Sequence, residues 1–161
     1  MTAPKMRATT RAVARREEDL LVQRAIAVLE RRAFQRGQDL LCPRSMRQYL
    51  RLRLAGEQEE VFAAVFLDAQ WRALAFEPLF RGTVNAAPMY SRVVVKRALR
   101  HNAAGVVVAH NHPSGLATPS HADIAATRLL KSALALIDVE LLDHLVIGSG
   151  EPFSFFDAQL L

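Results

Sequence analysis

The sequence predicts a mixed α/β (α+β) domain, a mixed β-sheet flanked by helices with a small helical cap on its N-terminal side. Two observations carry that expectation. The 161 residues are 51% hydrophobic and 23% charged, the balance of one globular domain that buries its own core. From Glu60 onward, short apolar runs alternate with segments of helical period, as strands and helices layered on one another require.

The elements follow in order. Residues 1 to 16 mix Thr, Ala, Arg and one Pro without an apolar period, and read as a flexible basic arm. From Glu17, the residues Leu20, Leu21, Ile26, Val28 and Leu29 recur at helical spacing, with Glu17 to Asp19 at the positive end of the helix dipole and Arg31 and Arg32 at the negative end. Gly37 and Pro43 punctuate a loop. Met46, Leu50 and Leu54 then mark a second helix ending at Gly56, so residues 1–55 form a basic arm plus helical cap and 56–161 the main domain. VFAAVFLD (61–68) and RALAFEPLFRGTV (72–84) read as an antiparallel hairpin, with Pro78 at an edge or a bulge because it donates no ladder hydrogen bond. Val94/Ala98 and Val95/Leu99 pair one turn apart and make 91–101 a helix. GVVVAH is a buried strand. A helix from about His121 to Leu136 turns Ile124, Leu129, Leu130 and Leu134 inward, and 139–150 and FSFF (153–156) supply two closing strands.

Charge and cysteine content exclude several functions. One cysteine, Cys42, forms no internal disulfide, no zinc ribbon and no Cys-X-X-Cys pair, so an oxidising compartment is not needed and the cytoplasm is the expected location. It also cannot supply the paired cysteines of a zinc nucleobase deaminase. No run is long enough to span a bilayer, and the opening stretch lacks the apolar core of a secretory signal. The net charge is +5 but uneven: residues 1–53 hold 13 of the 21 basic and 5 of the 16 acidic side chains, a local +8 against −3 for the rest. That front segment is a candidate for weak DNA contact through phosphates.

The chemistry is concentrated in AHNHPSGLATPSHAD, residues 109–123. His110 and His112, two apart at a strand end, project to one side. Pro113 and Gly115 turn the chain. Ser120 sits at a helix N-cap and Asp123 three residues later, either as a reciprocal cap or as a carboxylate swinging back toward the histidines. Two imidazoles and a carboxylate with a fourth position open are a hydrolytic zinc site in outline. Asn111 points to the opposite side and braces the loop from behind.

The spacing His110-X-His112-Pro113, then Ser120 and Asp123, resembles the metal-binding signature of the JAMM (MPN+) metallopeptidase superfamily. HNHPSG, FRGT (80–83), VVKRAL (94–99), DHLVIG (143–148) and the closing FSFFDAQLL resemble its RadC branch in particular, over about residues 44 to 161. The resemblance implies a JAMM/MPN-like fold and one zinc per chain held by His110, His112 and Asp123. It also implies Glu60 as general base, with Glu57, Glu59 and Glu77 as competing acids, and Ser120 as oxyanion donor. His144, in the DH pair, would order the site from behind the ligands. The implied activity is hydrolysis of a peptide or isopeptide amide in an unidentified protein or peptide. Only Gly37 and Gly56 precede residue 60, so the chain resembles a short form without the helix-hairpin-helix region of longer relatives. The alternative is a DNA-associated accessory protein, the family's DNA repair label, in which the metal is structural.

Overall fold

In a computed structural model, which describes residues 4–34, 43–82 and 89–161, helices and strands alternate in the order the sequence predicts. They are α1 (Pro4–Phe34), α2 (Pro43–Leu54), β1 (Val61–Leu67), β2 (Ala73–Arg81), α3 (Ser91–His101), β3 (Gly105–Asn111), α4 (His121–Ala135), β4 (Glu140–Ile147) and β5 (Phe153–Ser154). The strands form one mixed sheet in the order β2-β1-β3-β4-β5. β1 runs antiparallel to both β2 and β3, β3 is parallel to β4, and β5 returns antiparallel along β4. A parallel pair needs a crossover, and α4 provides it between β3 and β4.

β1 and β3 are buried along their whole length, which explains their unbroken apolar runs. Their side chains alternate between two cores. Ala63, Val65 and Leu67 join Val107, Ala109, Leu145 and Ile147 on the face covered by α2 and the C-terminal part of α1, where Ile26, Met46, Tyr49, Leu50 and Leu54 are buried. Phe62, Ala64 and Phe66 join Val106 and Val108 on the face covered by α3 and α4, through Val94, Ala98, Leu130 and Leu134. β2 is an edge strand, and Pro78 sits beside a register shift, because Phe62 pairs with Phe80 but Ala63 with Pro78. Both sequence options for that proline therefore hold together.

Three expectations change. The helix starts at Pro4, so regular backbone runs through the stretch read as a flexible arm, and the helix expected from Glu17 is the later part of a longer one. Proline suits the first helical turn, and Ala, Arg, Met and Lys are strong helix formers that need no apolar face. Leu20 and Leu21 are exposed, while Ile26 is buried and Leu29 packs at the core margin, because only the end of α1 meets α2 and β2. In α4 it is Thr127, not Leu129, that turns inward beside Leu130 and Leu134; Leu129 is exposed. Gly37, Cys42 and Thr83 lie outside the described residues. Among the described helices none is long and apolar enough to cross a membrane.

Candidate metal centre

β3 delivers His110 at its end and His112 just beyond it, and the N-terminus of α4 delivers Asp123. His110 Nε2 and His112 Nε2 lie 3.0 Å apart. Asp123 Oδ1 is 3.5 Å from His110 Nε2, and Asp123 Oδ2 is 3.8 Å from His112 Nε2. The three ligating atoms all fall within 4.8 Å of one another. Ligand atoms of a tetrahedral zinc with bonds of about 2.0–2.1 Å are about 3.3–3.4 Å apart, so shifts of a few tenths of an ångström fit this donor set to that ion. His110 is 1% exposed, whereas the side chains of His112 and Asp123 each keep 20%. The site is thus closed from behind and reachable from the side of His112 and Asp123.

The protonation states suit a cation. Burial pushes His110 down to about 4, with Asp123 opposing and His112 adding to the shift, so its imidazole is neutral at pH 7. His112 Nδ1 lies 2.7 Å from the Leu116 carbonyl oxygen, which only accepts; Nδ1 therefore carries the hydrogen and Nε2 presents a lone pair. The loop holding Leu116 is fixed in turn, because Ser149 donates from both N and Oγ to the Gly115 carbonyl, at 2.9 and 3.1 Å. Gly148 is required there. A Cβ on it would stand 2.4 Å from the Gly115 oxygen.

Capping and metal roles coexist at the start of α4. Ser120 donates from N and Oγ to Asp123 Oδ2 at 2.6 and 2.7 Å, while Asp123 N donates to Ser120 Oγ at 3.1 Å. The reciprocal cap uses Oδ2, and Oδ1 turns toward His110. Behind the ligands, His110 Nδ1 is 2.8 Å from His144 Nε2, and His144 Nδ1 is 2.6 Å from Thr127 Oγ1. A register shift in the β3–β4 pairing, from Val106 opposite Leu141 to Val107 opposite Asp143, puts His144 on the same sheet face as Leu141. Without that bulge, strict alternation would aim Asp143 at the site instead. Asp143 faces the other way, accepting from Ser154 Oγ, Phe156 N and His144 N, with Arg47 of α2 4.0 Å away. Burial raises the Asp143 pKa, against those hydrogen bonds and Arg47.

The acids separate by surroundings. Glu57 pairs with Arg81 at 2.9 Å, and Glu77 is held by Arg97 and by His101, the latter at 2.7 Å. Glu59 is exposed. Glu60 is half-buried immediately before β1, two residues ahead of Phe62, which pairs with His110. Asn111, 2% exposed, points to the other face, where it accepts from Val61 N at 2.8 Å and donates to the carbonyls of Glu59 and Glu57 at 2.9 and 3.3 Å. Its amide brackets Glu60 on both sides along the chain.

Sequence reasoning missed three parts of this arrangement. Thr127 donates along its own helix to the Asp123 carbonyl and also meets His144. The signal available was its position one turn after Asp123. The Leu116 carbonyl and the close approach at Gly148 leave no side-chain signature at all.

Residues 40–160 match the family model described as RadC-like JAB domain. A UPF0758 protein of Azotobacter vinelandii is 58% identical over 112 residues, 70% of this chain and 50% of its own length. One from Methylibium petroleiphilum is 57% identical over 119 residues, 74% of this chain and 54% of the relative. One from Halorhodospira halophila is 53% identical over 127 residues, 79% and 57% respectively. The chain spans about half the length of the curated relatives it matches.

Proposed function

Because the chain belongs to the RadC-like JAB domain family, we propose that it is a zinc-dependent, metallopeptidase-like hydrolase that cleaves a peptide or isopeptide amide with an activated water. The observation that carries the reading is the convergence of His110, His112 and Asp123 on one point, with two bare or neutral imidazole nitrogens facing each other. Such nitrogens repel unless a cation or a proton lies between them. These three residues would hold the ion, and bound zinc supplies the Lewis acidity that makes water a nucleophile near neutral pH.

The chain's own residues do the rest. Glu60, two residues ahead of the His110-paired Phe62, takes the proton of the attacking water and passes it to the leaving amine. Ser120 donates its hydroxyl to the developing oxyanion. Turning that hydroxyl away from Asp123 does not release the carboxylate, since the Ser120 N–H still holds Oδ2 at 2.6 Å. His110, neutral through burial, keeps its lone pair at the working pH.

The test is metal content and turnover on one set of proteins. Wild type reconstituted with zinc is expected to hold about one ion per chain, with nitrogen and oxygen but no sulfur ligands at the zinc edge. His110→Ala/His112→Ala is expected to lose it. Glu60→Gln is expected to keep zinc and lose cleavage of a peptide library. No zinc in the reconstituted wild type overturns the reading, and full activity in Glu60→Gln overturns the choice of base.

A second reading rests on the local +8 charge of residues 1–53, much of it carried by α1 and α2. On that reading the chain contacts DNA phosphates, and binding falls steeply with salt. Deleting residues 1–36 is expected to abolish it. Negligible affinity at low salt removes this reading.

A further inference from the structure

We propose that Thr127 and His144 form a directional hydrogen-bond chain that decides which ring nitrogen of His110 carries the hydrogen, making Thr127 a positioning residue for a ligand it never touches. The inference rests on the reading of His110 as a metal ligand. Four groups lie in series: the Asp123 carbonyl oxygen, Thr127 Oγ1 at 2.5 Å from it, His144 Nδ1 at 2.6 Å from the hydroxyl, and His110 Nδ1 at 2.8 Å from His144 Nε2. Thr127, His144 and His110 are buried, so bulk water does not supply alternative partners.

The chain has two directions. In the forward direction the Thr127 hydroxyl donates to the Asp123 carbonyl, which only accepts, and its oxygen accepts from His144 Nδ1–H. A neutral imidazole has one N–H, which leaves His144 Nε2 as an acceptor and makes His110 Nδ1 the donor. His110 Nε2 is then a bare lone pair directed at His112 and Asp123. In the reverse direction Thr127 donates to His144, the hydrogens shift ring by ring, and His110 carries its hydrogen on Nε2. That hydrogen would bond to His112 Nε2, 3.0 Å away, and occupy the place of the ion. The reverse state leaves the hydroxyl oxygen against the Asp123 carbonyl with no hydrogen between them. That loss is what the Thr127 hydroxyl sets against the His110–His112 hydrogen bond the reverse state gains, and a cation between the two bare Nε2 atoms completes the forward state.

Because Asp123 supplies a proposed ligand oxygen and the anchoring carbonyl, one residue fixes both ends of the arrangement. The histidines themselves need not differ in chemistry. Their orientation comes from two carbonyls, Asp123 for His110 and Leu116 for His112.

Thr127→Val keeps the shape and removes the hydroxyl; Thr127→Ser keeps the hydroxyl and removes the methyl. Two readouts are needed: nitrogen chemical shifts of the His110 ring in the metal-free protein, and the zinc dissociation constant by chelator competition. Thr127→Val is expected to shift the His110 hydrogen from Nδ1 toward Nε2 relative to wild type, and Thr127→Ser to keep the wild-type pattern. Zinc affinity in Thr127→Val is expected to fall about 10–100-fold, the size seen when partners behind metal-binding histidines are removed. Affinity within twofold of wild type and an unchanged ring pattern in Thr127→Val overturns the proposal. Equal losses in both variants also overturn it, because the effect would then follow packing. A wild type that binds no zinc defeats the metal reading, while the ring pattern still decides the chain.

Discussion

Acidifying the metal-free protein is expected to destabilise it in a window set by its buried histidines. His110 titrates near pH 4 in the folded state because burial penalises its charged form, against an ordinary value of 6.5. Between those values the unfolded chain binds a proton that the folded chain does not. Stability therefore is full above pH 6.5 and falls as the pH drops toward 4. One depressed histidine costs about 2 kcal/mol by pH 5 and about 3 kcal/mol by pH 4. His144, which burial lowers well below its ordinary value with His110 and His112 adding to the shift, contributes a loss of the same sign. Asp68 and Glu77, both lowered below the usual carboxylate range, act only at more acidic pH, while Asp143, raised by burial, works in the opposite sense and offsets part of the loss. The assay is urea unfolding in chelator at pH 7, 6 and 5, with His110→Gln beside the wild type. A flat stability between pH 7 and 5 would refute the burial argument. So would an undiminished pH slope in His110→Gln.

Two further outcomes follow from packing. Gly148→Ala places a methyl 2.4 Å from the Gly115 oxygen and 2.8 Å from Ala117 N, so the loop carrying Leu116 must shift and release His112 Nδ1. Zinc affinity is expected to drop about tenfold and stability by about 1–3 kcal/mol; unchanged chelator competition would show that the loop is not the anchor. Asn111→Leu strands the Val61 N–H and the Glu57 and Glu59 carbonyls at a buried position, a loss of about 1–3 kcal/mol. Zinc content is expected to stay at the wild-type level, and thermal unfolding at an unchanged temperature would dismiss the bracket.

The parts of the site that lie on one short stretch were legible in the sequence. His110 and His112 share a face by strand period, and Ser120 to Asp123 caps a helix by spacing, so geometry there follows from local rules. Pro78 announced an edge or a bulge because proline lacks the donor that an inner strand needs, and it sits at both. What lay hidden depends on partners remote in the chain. Thr127 lies three residues before Leu130 and seven before Leu134 and so shares their inward face, whereas the apolar Leu129, next to Leu130, turns out to solvent. The aim of His144 depends on a bulge after Leu141 that no residue type marks. The exposure of Leu20 and Leu21 follows from α1 extending past its neighbours, whereas an apolar pattern alone is silent on where the neighbour ends.

The alternation of β1 and β3 between two cores turns the sheet into a partition with adjacent residues answering to opposite sides. His110 belongs to the candidate metal centre and Asn111 to the segment before β1; His144 braces His110 while Asp143 reaches Arg47 and the closing strand. Every proposed ligand and its bracing partner lies between His110 and His144, whereas the described residues of α1 pack on the other side, against α2 and β2. Sequence change on the exposed part of that helix therefore leaves the candidate metal centre untouched, and what ties the helix to the fold is Ile26 in the opposite core.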